Sequence, residues 1–308
     1  MMERDKPALT SPTRVTRGNR KSAARPAAGG PTSAVCVWRW QPGVAPAQRA
    51  DRLAREEPLE IRVRGRSVVV TMRTPGHDAE LATGFLLAEG LIHERAHVVE
   101  IAHCPQGDAP ENTLNVFLSP AVKVDFEQLT RHVFATSSCG LCAKASIEAV
   151  HQHFAPVDSP VTMAASMLTA LPERLRAAQK VFNQTGGLHA AALFDARGRL
   201  IVLREDVGRH NAVDKVVGYG FLKSKLPFDA HVLLVSGRAS FEIVQKALAA
   251  RIPVVAAISA PSSLAVDFAR ESGQTLVGFL RGESFNVYAH EERIQRQSGR
   301  PAGTARPR

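Results

Sequence analysis

The sequence predicts an α/β fold, a mixed-sheet core with helices on both faces preceded by a β-rich portion. Three observations carry this. From Leu188 onward, apolar runs of strand length alternate with runs of helix length, the pattern of a mostly parallel or mixed sheet covered on both sides. Several of those strands close on small or polar loops that open the next helix. Before residue 126, strand-like runs outnumber helical ones.

Taken in order, residues 1–32 are rich in Arg, Pro, Ala, Gly, Ser and Thr without apolar periodicity, and are expected to be a disordered basic tail. A strand from Ala34 to Trp40 would put Val35 and Val37 on one face and Cys36, Trp38 and Trp40 on the other. Leu59 to Val63 and Ser67 to Met72 flank Arg64-Gly65-Arg66 as a hairpin. Asp78 to Leu91 has the apolar spacing of an amphipathic helix. Val98 to Cys104 and Thr113 to Leu118 read as strands. Helical runs follow from Cys142 to Phe154 and from Met163 to Phe182, the second interrupted or kinked at Pro172. Then come a strand to Phe194, a turn at Asp195 to Arg199, a strand to Leu203 and a helix from about His210 to Leu222. Strands at Val232–Val235, Val254–Ile258 and Leu276–Leu280 are separated by helices near Phe241–Ala250 and Ser263–Glu271. The expected division is a tail (1–32), a β-rich and helical portion (33–125), a cysteine loop with its following helix (126–160), an α/β core (161–292) and a flexible C-terminal tail (293–308).

With 44% hydrophobic residues in 308, the chain can bury one large core or two small ones. The formal net charge of +10 is uneven. Arg4, Lys6, Arg14, Arg17, Arg20, Lys21, Arg25, Arg39 and Arg49 face only Glu3 and Asp5 in the first fifty residues, and the near-balance of the rest argues against nucleic acid as partner. No apolar run approaches the roughly 20 residues of a membrane span, and no short apolar secretion core is present. A cytoplasmic protein is expected. Four cysteines are too few for a disulfide scaffold.

Two of them form Ser137-Ser138-Cys139-Gly140-Leu141-Cys142, just before a predicted helix. A thiol there feels the positive end of the helix dipole, and Lys144 is near in sequence, so its pKa should fall toward the thiolate. Such a cysteine can accept sulfur. Alternatives remain at this point. A structural zinc site would need two further ligands, for which Cys104 with His103 or His132 are candidates. A deaminase zinc site would need an upstream His-x-Glu, and the lone example, His290 to Glu292, lies downstream. A thioredoxin-like pair would sit after an early strand, and inert buried thiols are a further possibility.

Downstream, Thr185-Gly186-Gly187-Leu188-His189 precedes a strand. Arg204 to Asn211, including Arg209 and His210, joins a strand to a helix, where an exposed charged turn and helix capping are the plain alternatives. Ser236-Gly237-Arg238-Ala239-Ser240 and Ser259-Ala260-Pro261-Ser262-Ser263 each open a helix with small residues. Backbone N–H groups are left free for an anion there, and Arg238 adds a guanidinium fork. Neither is a Walker loop. In Gly278 to Tyr288, Phe279 for stacking, Arg281 for phosphate and Glu283 for a base edge would suit a guanine nucleotide; an ordinary strand end is the alternative.

The stretch Thr74-Pro-Gly-His-Asp-Ala-Glu-Leu-Ala-Thr-Gly-Phe-Leu-Leu-Ala-Glu-Gly-Leu-Ile92, the Cys139 loop, Thr185 to His189, Arg204 to Lys215, Ser236 to Lys246, Ser259 to Ala265 and Gly278 to Tyr288 closely resemble the FdhD family, the formate dehydrogenase accessory sulfurtransferases. The resemblance spans roughly residues 34 to 292. It implies a cytoplasmic homodimer whose core resembles the cytidine deaminases without their zinc. It also implies an activity. A cysteine desulfurase passes sulfur to Cys139 as a persulfide, with a receiving or resolving role for Cys142. The sulfur then goes to the molybdenum of a bis-molybdopterin guanine dinucleotide cofactor destined for formate dehydrogenase. The implied cofactor-binding stretch is Phe279, Leu280, Arg281, Gly282, Glu283 and Ser284; Gly187, His189, Arg209, His210, Ser236, Arg238 and Ser259 are the further candidates. The rival class is a cofactor-binding chaperone without sulfur chemistry, and the two part at Cys139.

Overall fold

The computed structural model describes residues 30–105, 110–126 and 154–295. It opens on an antiparallel two-stranded arm, β1 (Thr32–Gln41) and β2 (Val44–Ala54). β2 escapes a reading by periodicity because Pro46 and a run of Ala, Gln, Arg and Asp residues break any apolar alternation. Its ladder to β1, not side-chain propensity, satisfies its backbone groups.

Next, β3 (Glu57–Val63) and β4 (Arg66–Arg73) form the predicted hairpin. Arg64 and Gly65 both take positive φ, 50° and 79°, as a two-residue turn matched to strand twist requires. With β5 (Val98–His103) and β6 (Thr113–Leu118) they make a four-stranded sheet of order β4-β3-β6-β5, in which β6 runs parallel to β3. Its inner face, Leu59, Ile61, Val63, Leu114 and Val116, is buried in one core with Leu81, Leu86 and Leu87 of helix α1 (Asp78–Ala88). That helix stops three residues short of Leu91. Gly90 adopts φ 72°, its N–H reaches Leu87 O at 3.0 Å, and Leu91 N–H reaches Leu86 O at 2.9 Å, which is a Schellman termination.

The second half contains β7 (Met163–Ala164), α2 (Ala165–Ala178), α3 (Phe182–Thr185), β8 (His189–Asp195), β9 (Leu200–Asp206) and α4 (Arg209–Leu222). It continues with β10 (His231–Val235), α5 (Phe241–Ala249), β11 (Val254–Ala257), α6 (Ser263–Glu271), β12 (Thr275–Arg281), β13 (Ser284–Ala289) and β14 (Ile294–Gln295). Helix α2 runs through Pro172 uninterrupted and ends at Ala178, so the expected run to Phe182 divides there instead. Strand β9 extends to Asp206, and β13 is an additional strand after the one that the apolar pattern closes at Leu280.

Six strands form a mixed sheet in the order β13-β12-β11-β10-β8-β9, with β10, β11 and β12 mutually parallel. Alternation assigns its two faces. Leu193, Leu233, Val235 and Val255 join the core under α4, α5 and α6. Ala192, Phe194, Leu234 and Val254 join a second core with Leu168, Leu171 and Leu175 of α2. The two-sided coverage read from the sequence is therefore present, and the architecture is mixed α/β.

Two helix-interior glycines bring the halves together. A Cβ on Gly84 of α1 would lie 1.9 Å from Asp214 O, and one on Gly218 of α4 would lie 1.8 Å from Glu80 O. Only backbone without a side chain permits this crossing. Gly218→Ala should destabilise by about 1–3 kcal/mol through overpacking, since the obstructing atoms are backbone and cannot swing aside; urea denaturation measures it. Beside the crossing, Asp206 and Lys215 are buried and paired at 2.6 Å. Lys215 also donates to Thr74 O at 2.9 Å, and Asp206 accepts from Thr74 N–H at 3.2 Å and from Asn211 Nδ2 at 3.1 Å. Arg204 clamps Glu80 with Nη2–Oε1 2.7 Å.

Candidate functional site

The sheet topology gathers the sequence motifs along one edge. Strands β10, β11 and β12 are parallel, while β8, β9 and β13 alternate against their neighbours. The carboxyl ends of β9, β10, β11 and β12 and the amino ends of β8 and β13 therefore meet on the same side. The ladder pairs His189 with Asp206, Ala191 with Val235, Val235 with Ala257, and Arg281 with Ser284. Four strand spacings of about 4.8 Å separate β9 from β12, so the edge spans roughly 19 Å, long enough for an extended ligand.

At the β9 end, Arg209 and His210 occupy the first turn of α4. Gly208, at the N-cap, supplies no side-chain cap, so the helix N-terminus presents bare N–H groups. The N-cap residue of helix α5 is Ser240, whose hydroxyl lies 3.1 Å from His210 Nε2 instead of capping its own helix. His210 Nε2 also meets Glu242 Oε2 at 2.9 Å. That hydrogen bond, opposed by partial burial, holds the Glu242 carboxyl below the usual range. Both contacts use the same ring nitrogen, so no serine–histidine–carboxylate relay is formed.

His189 approaches the glycine of the β10 loop, where a Cβ on Gly237 would lie 3.4 Å from His189 Nδ1 and 3.8 Å from Arg209 Cβ. Burial first, then the charges of Arg209 and His210, push the His189 pKa down, so it faces the edge as a neutral imidazole. Among the described residues, Arg209 Nε is buried with no hydrogen-bond partner. The loops after β10 and β11 are stitched to each other, Ala239 N–H to Ala260 O at 3.2 Å and Ser262 N–H to Ala239 O at 3.0 Å. Ser236 Oγ accepts from Ala190 N–H at 2.9 Å, which closes the β8–β10 ladder, while Arg238 is exposed.

At the β12 end the backbone bends. Phe279 takes φ 51°, a left-handed conformation that a bulky residue adopts only under constraint. The register with β13 slips between Gly278 and Arg281, and the strand end turns toward the β11 loop. Phe279 N–H donates to Ser259 O at 3.1 Å, and Arg281 Nε donates to Ile258 O at 2.8 Å. A Cβ on Gly278 would strike Pro261 at 2.8 Å and Tyr288 at 2.9 Å, so this bend is tightly clamped. The result is an aromatic ring, 41% exposed, with a guanidinium 5.8 Å from its centroid.

Most of the candidate residues are thus on one edge: Gly187, His189, Arg209, His210, Ser236, Arg238, Ser259, Phe279, Arg281, Gly282, Glu283 and Ser284. Leu280 differs. It is fully buried in the α2-side core, because alternation points it away from Phe279, and its side chain cannot line the edge. Glu242 escapes the sequence reading; an acid in the first turn of a helix is ordinary, and only the fold sets it against His210. Cys139 and Cys142 lie outside the described residues. Among those residues no group of three or more His, Cys, Asp or Glu is disposed to hold a metal, and no helix is long and apolar enough to cross a membrane.

Three guanidinium groups, two helix N-termini without side-chain caps and one exposed phenylalanine define the class, a mixed α/β protein with an anion-receptive strand-end edge. The FdhD/NarQ family model matches residues 54–295, and the chain belongs to that family. It is 56% identical over 255 residues to the sulfur carrier protein FdhD of Mycobacterium tuberculosis, covering 80% of this chain and 92% of that one. With the protein of the same description from Streptomyces avermitilis it shares 54% identity over 257 residues, covering 81% and 91%. A crystal structure of a formate dehydrogenase accessory protein from Desulfotalea psychrophila superposes with a TM-score of 0.68 at 27% identity, covering 86% of this chain and 99% of that one.

Proposed function

We propose that this protein is a cytoplasmic sulfur carrier for formate dehydrogenase. Cys139 takes sulfane sulfur from a cysteine desulfurase and transfers it to the molybdenum of a bis-molybdopterin guanine dinucleotide cofactor, the cargo bound at the strand-end edge. The observation that carries the reading is that edge. Its arginines and free helix N–H groups match a chain of phosphates, and Phe279 offers a face for a base to stack on. Family membership and the relatives' description as sulfur carriers support the sulfur chemistry. In the first step the Cys139 thiolate attacks the outer sulfur of the desulfurase persulfide, forming a new S–S bond while the desulfurase cysteine leaves as thiolate. In the second, that S–S bond breaks at molybdenum and Cys139 leaves as thiolate, the metal supplying the two electrons that make the sulfur a sulfide. Cys142 receives or resolves the persulfide. We further propose that the protein works as a homodimer, that its core is related to the cytidine deaminases, and that it uses no zinc.

Two readouts on the full-length protein test this. Incubation with a cysteine desulfurase and cysteine should add about 32 Da, one sulfur atom, to the peptide carrying Cys139, because persulfide formation needs an accessible thiolate. Guanosine diphosphate should raise the melting temperature by binding the native state alone, and Arg281→Ala should diminish that shift. Absence of the adduct on wild-type protein removes the carrier role. A wild type indifferent to the nucleotide removes the edge as the cofactor site.

A further inference from the structure

Large apolar side chains left exposed among the described residues concentrate on two surfaces. One is the β1–β2 arm, where Trp38 is 62% and Trp40 76% exposed, with Val44 at the tip 60% exposed. The other is the outer face of the β4-β3-β6-β5 sheet, where Val70 is 62%, Met72 47% and Phe117 39% exposed. The inner face of that sheet is occupied by α1 and its core, so nothing among the described residues requires apolar residues outside. A two-stranded hairpin standing alone is at best marginally stable in water. Its Trp38 and Cys36, opposite Gln48 and Ala50, make one continuous surface that no described residue covers.

The arm cannot fold back on its own sheet without breaking its base. Arg55 N–H closes the ladder on Pro31 O at 2.8 Å, Arg52 Nη1 donates to Gln184 Oε1 at 3.4 Å, and Ala54 Cβ lies 3.7 Å from where Gly187 would carry its own. Among the described residues, each molecule thus has one arm without a socket and one apolar face without a cover.

We propose that the arm of one copy docks on the outer sheet face of a second copy, reciprocally about a two-fold axis. This rests on the homodimer proposed above and adds the surfaces that build it. A two-fold exchange saturates both surfaces in both copies, which an open chain of contacts would not. The areas are sufficient. Ten residues at about 3.3 Å and two strands at about 4.8 Å give an arm face of roughly 320 Å², and four such faces bury about 1,300 Å², within the ~1,200–2,000 Å² of stable interfaces. Tryptophan is also the residue most often found at the energetic centre of an interface.

Sedimentation of the full-length chain over a concentration series, read with tryptophan emission, tests this. The chain holds two tryptophans, both on the arm, so emission reports the arm alone. Wild type should sediment as a dimer with blue-shifted emission. Trp38→Ala and Trp40→Ala should each weaken self-association roughly thirtyfold or more, with melting temperature little changed. Val70→Lys, on a different sheet, should give monomer and shift tryptophan emission to the red. A wild-type chain that is monomeric throughout overturns the homodimer together with these surfaces. A wild-type dimer that survives the tryptophan variants, or whose emission ignores Val70→Lys, overturns the surfaces and leaves the homodimer standing.

Discussion

Cys139→Ser should abolish both the 32 Da adduct and the appearance of active formate dehydrogenase, while leaving the melting temperature and its response to guanosine diphosphate unchanged. The reason is chemical. A hydroxyl of pKa far above neutrality is not ionised, and an O–S bond does not carry sulfane sulfur for onward transfer, so no partial activity is available to the variant. The fold should be indifferent, since exchanging a sulfur for an oxygen in one side chain leaves the packing among the described residues of both cores untouched. Cys142→Ser should keep at least part of the adduct, because the second thiol is assigned a later or supporting step. The comparison separates three classes of protein. A Cys139→Ser chain that still matures the enzyme fully identifies a cofactor chaperone without sulfur chemistry. Equal loss in both variants together with stoichiometric zinc in the wild type identifies a metal site. Loss confined to Cys139→Ser identifies the carrier.

How far the sequence could be read depended on whether a signal was local. The continuous apolar runs of β8 and β10 and the small-residue loops after β10 and β11 are local, and both the strands and their shared edge follow from them. Strand β2 is not local; it exists because β1 offers hydrogen bonds to a segment without strong strand character of its own, whereas β13 carries its own local signal in Phe285, Val287 and Tyr288. The segment from Arg204 to Asn211 is the instructive case. As a string it is one polar cluster, but the fold divides it. Asp206 and Asn211 turn inward to Thr74 and Met72, while Arg209 and His210 face the edge. A signal for that division is present in the chain: Asn211, Lys215 and Gly218 recur at helical spacing, and a polar stripe ending in an interior glycine marks a face packed closely against another backbone. The bend at Phe279 has no such signal. Its left-handed φ accompanies the register slip against β13 and the hydrogen bond from Phe279 N–H to Ser259 O, partners brought there only by the assembled sheet.

The inward half of that divided segment should produce the largest loss of stability in the molecule. Asp206 is 0% and Lys215 1% exposed in the side chain, and the pair is joined at 2.6 Å. The carboxylate also holds the backbone N–H groups of Thr74 and Gly208, and the ammonium holds Thr74 O, so the pair binds the loop before α1 to α4. Removing one partner strands the other charge away from water. Lys215→Met is therefore expected to cost about 3–5 kcal/mol, measured as a lower urea midpoint, because Asp206 must then be buried ionised and unpaired or take up a proton. The same number would follow from lost packing alone, so the double variant decides the cause. Asp206→Asn with Lys215→Met removes both charges while keeping volume, and should recover a large part of the loss, since replacing a whole buried pair is often close to neutral. Additive losses in the double variant would mean that shape, not charge, makes these residues matter. Recovery would mean that the polar string between β9 and α4 is retained to fix how the β-rich portion seats on the core, and hence where Arg209 and His210 stand on the edge.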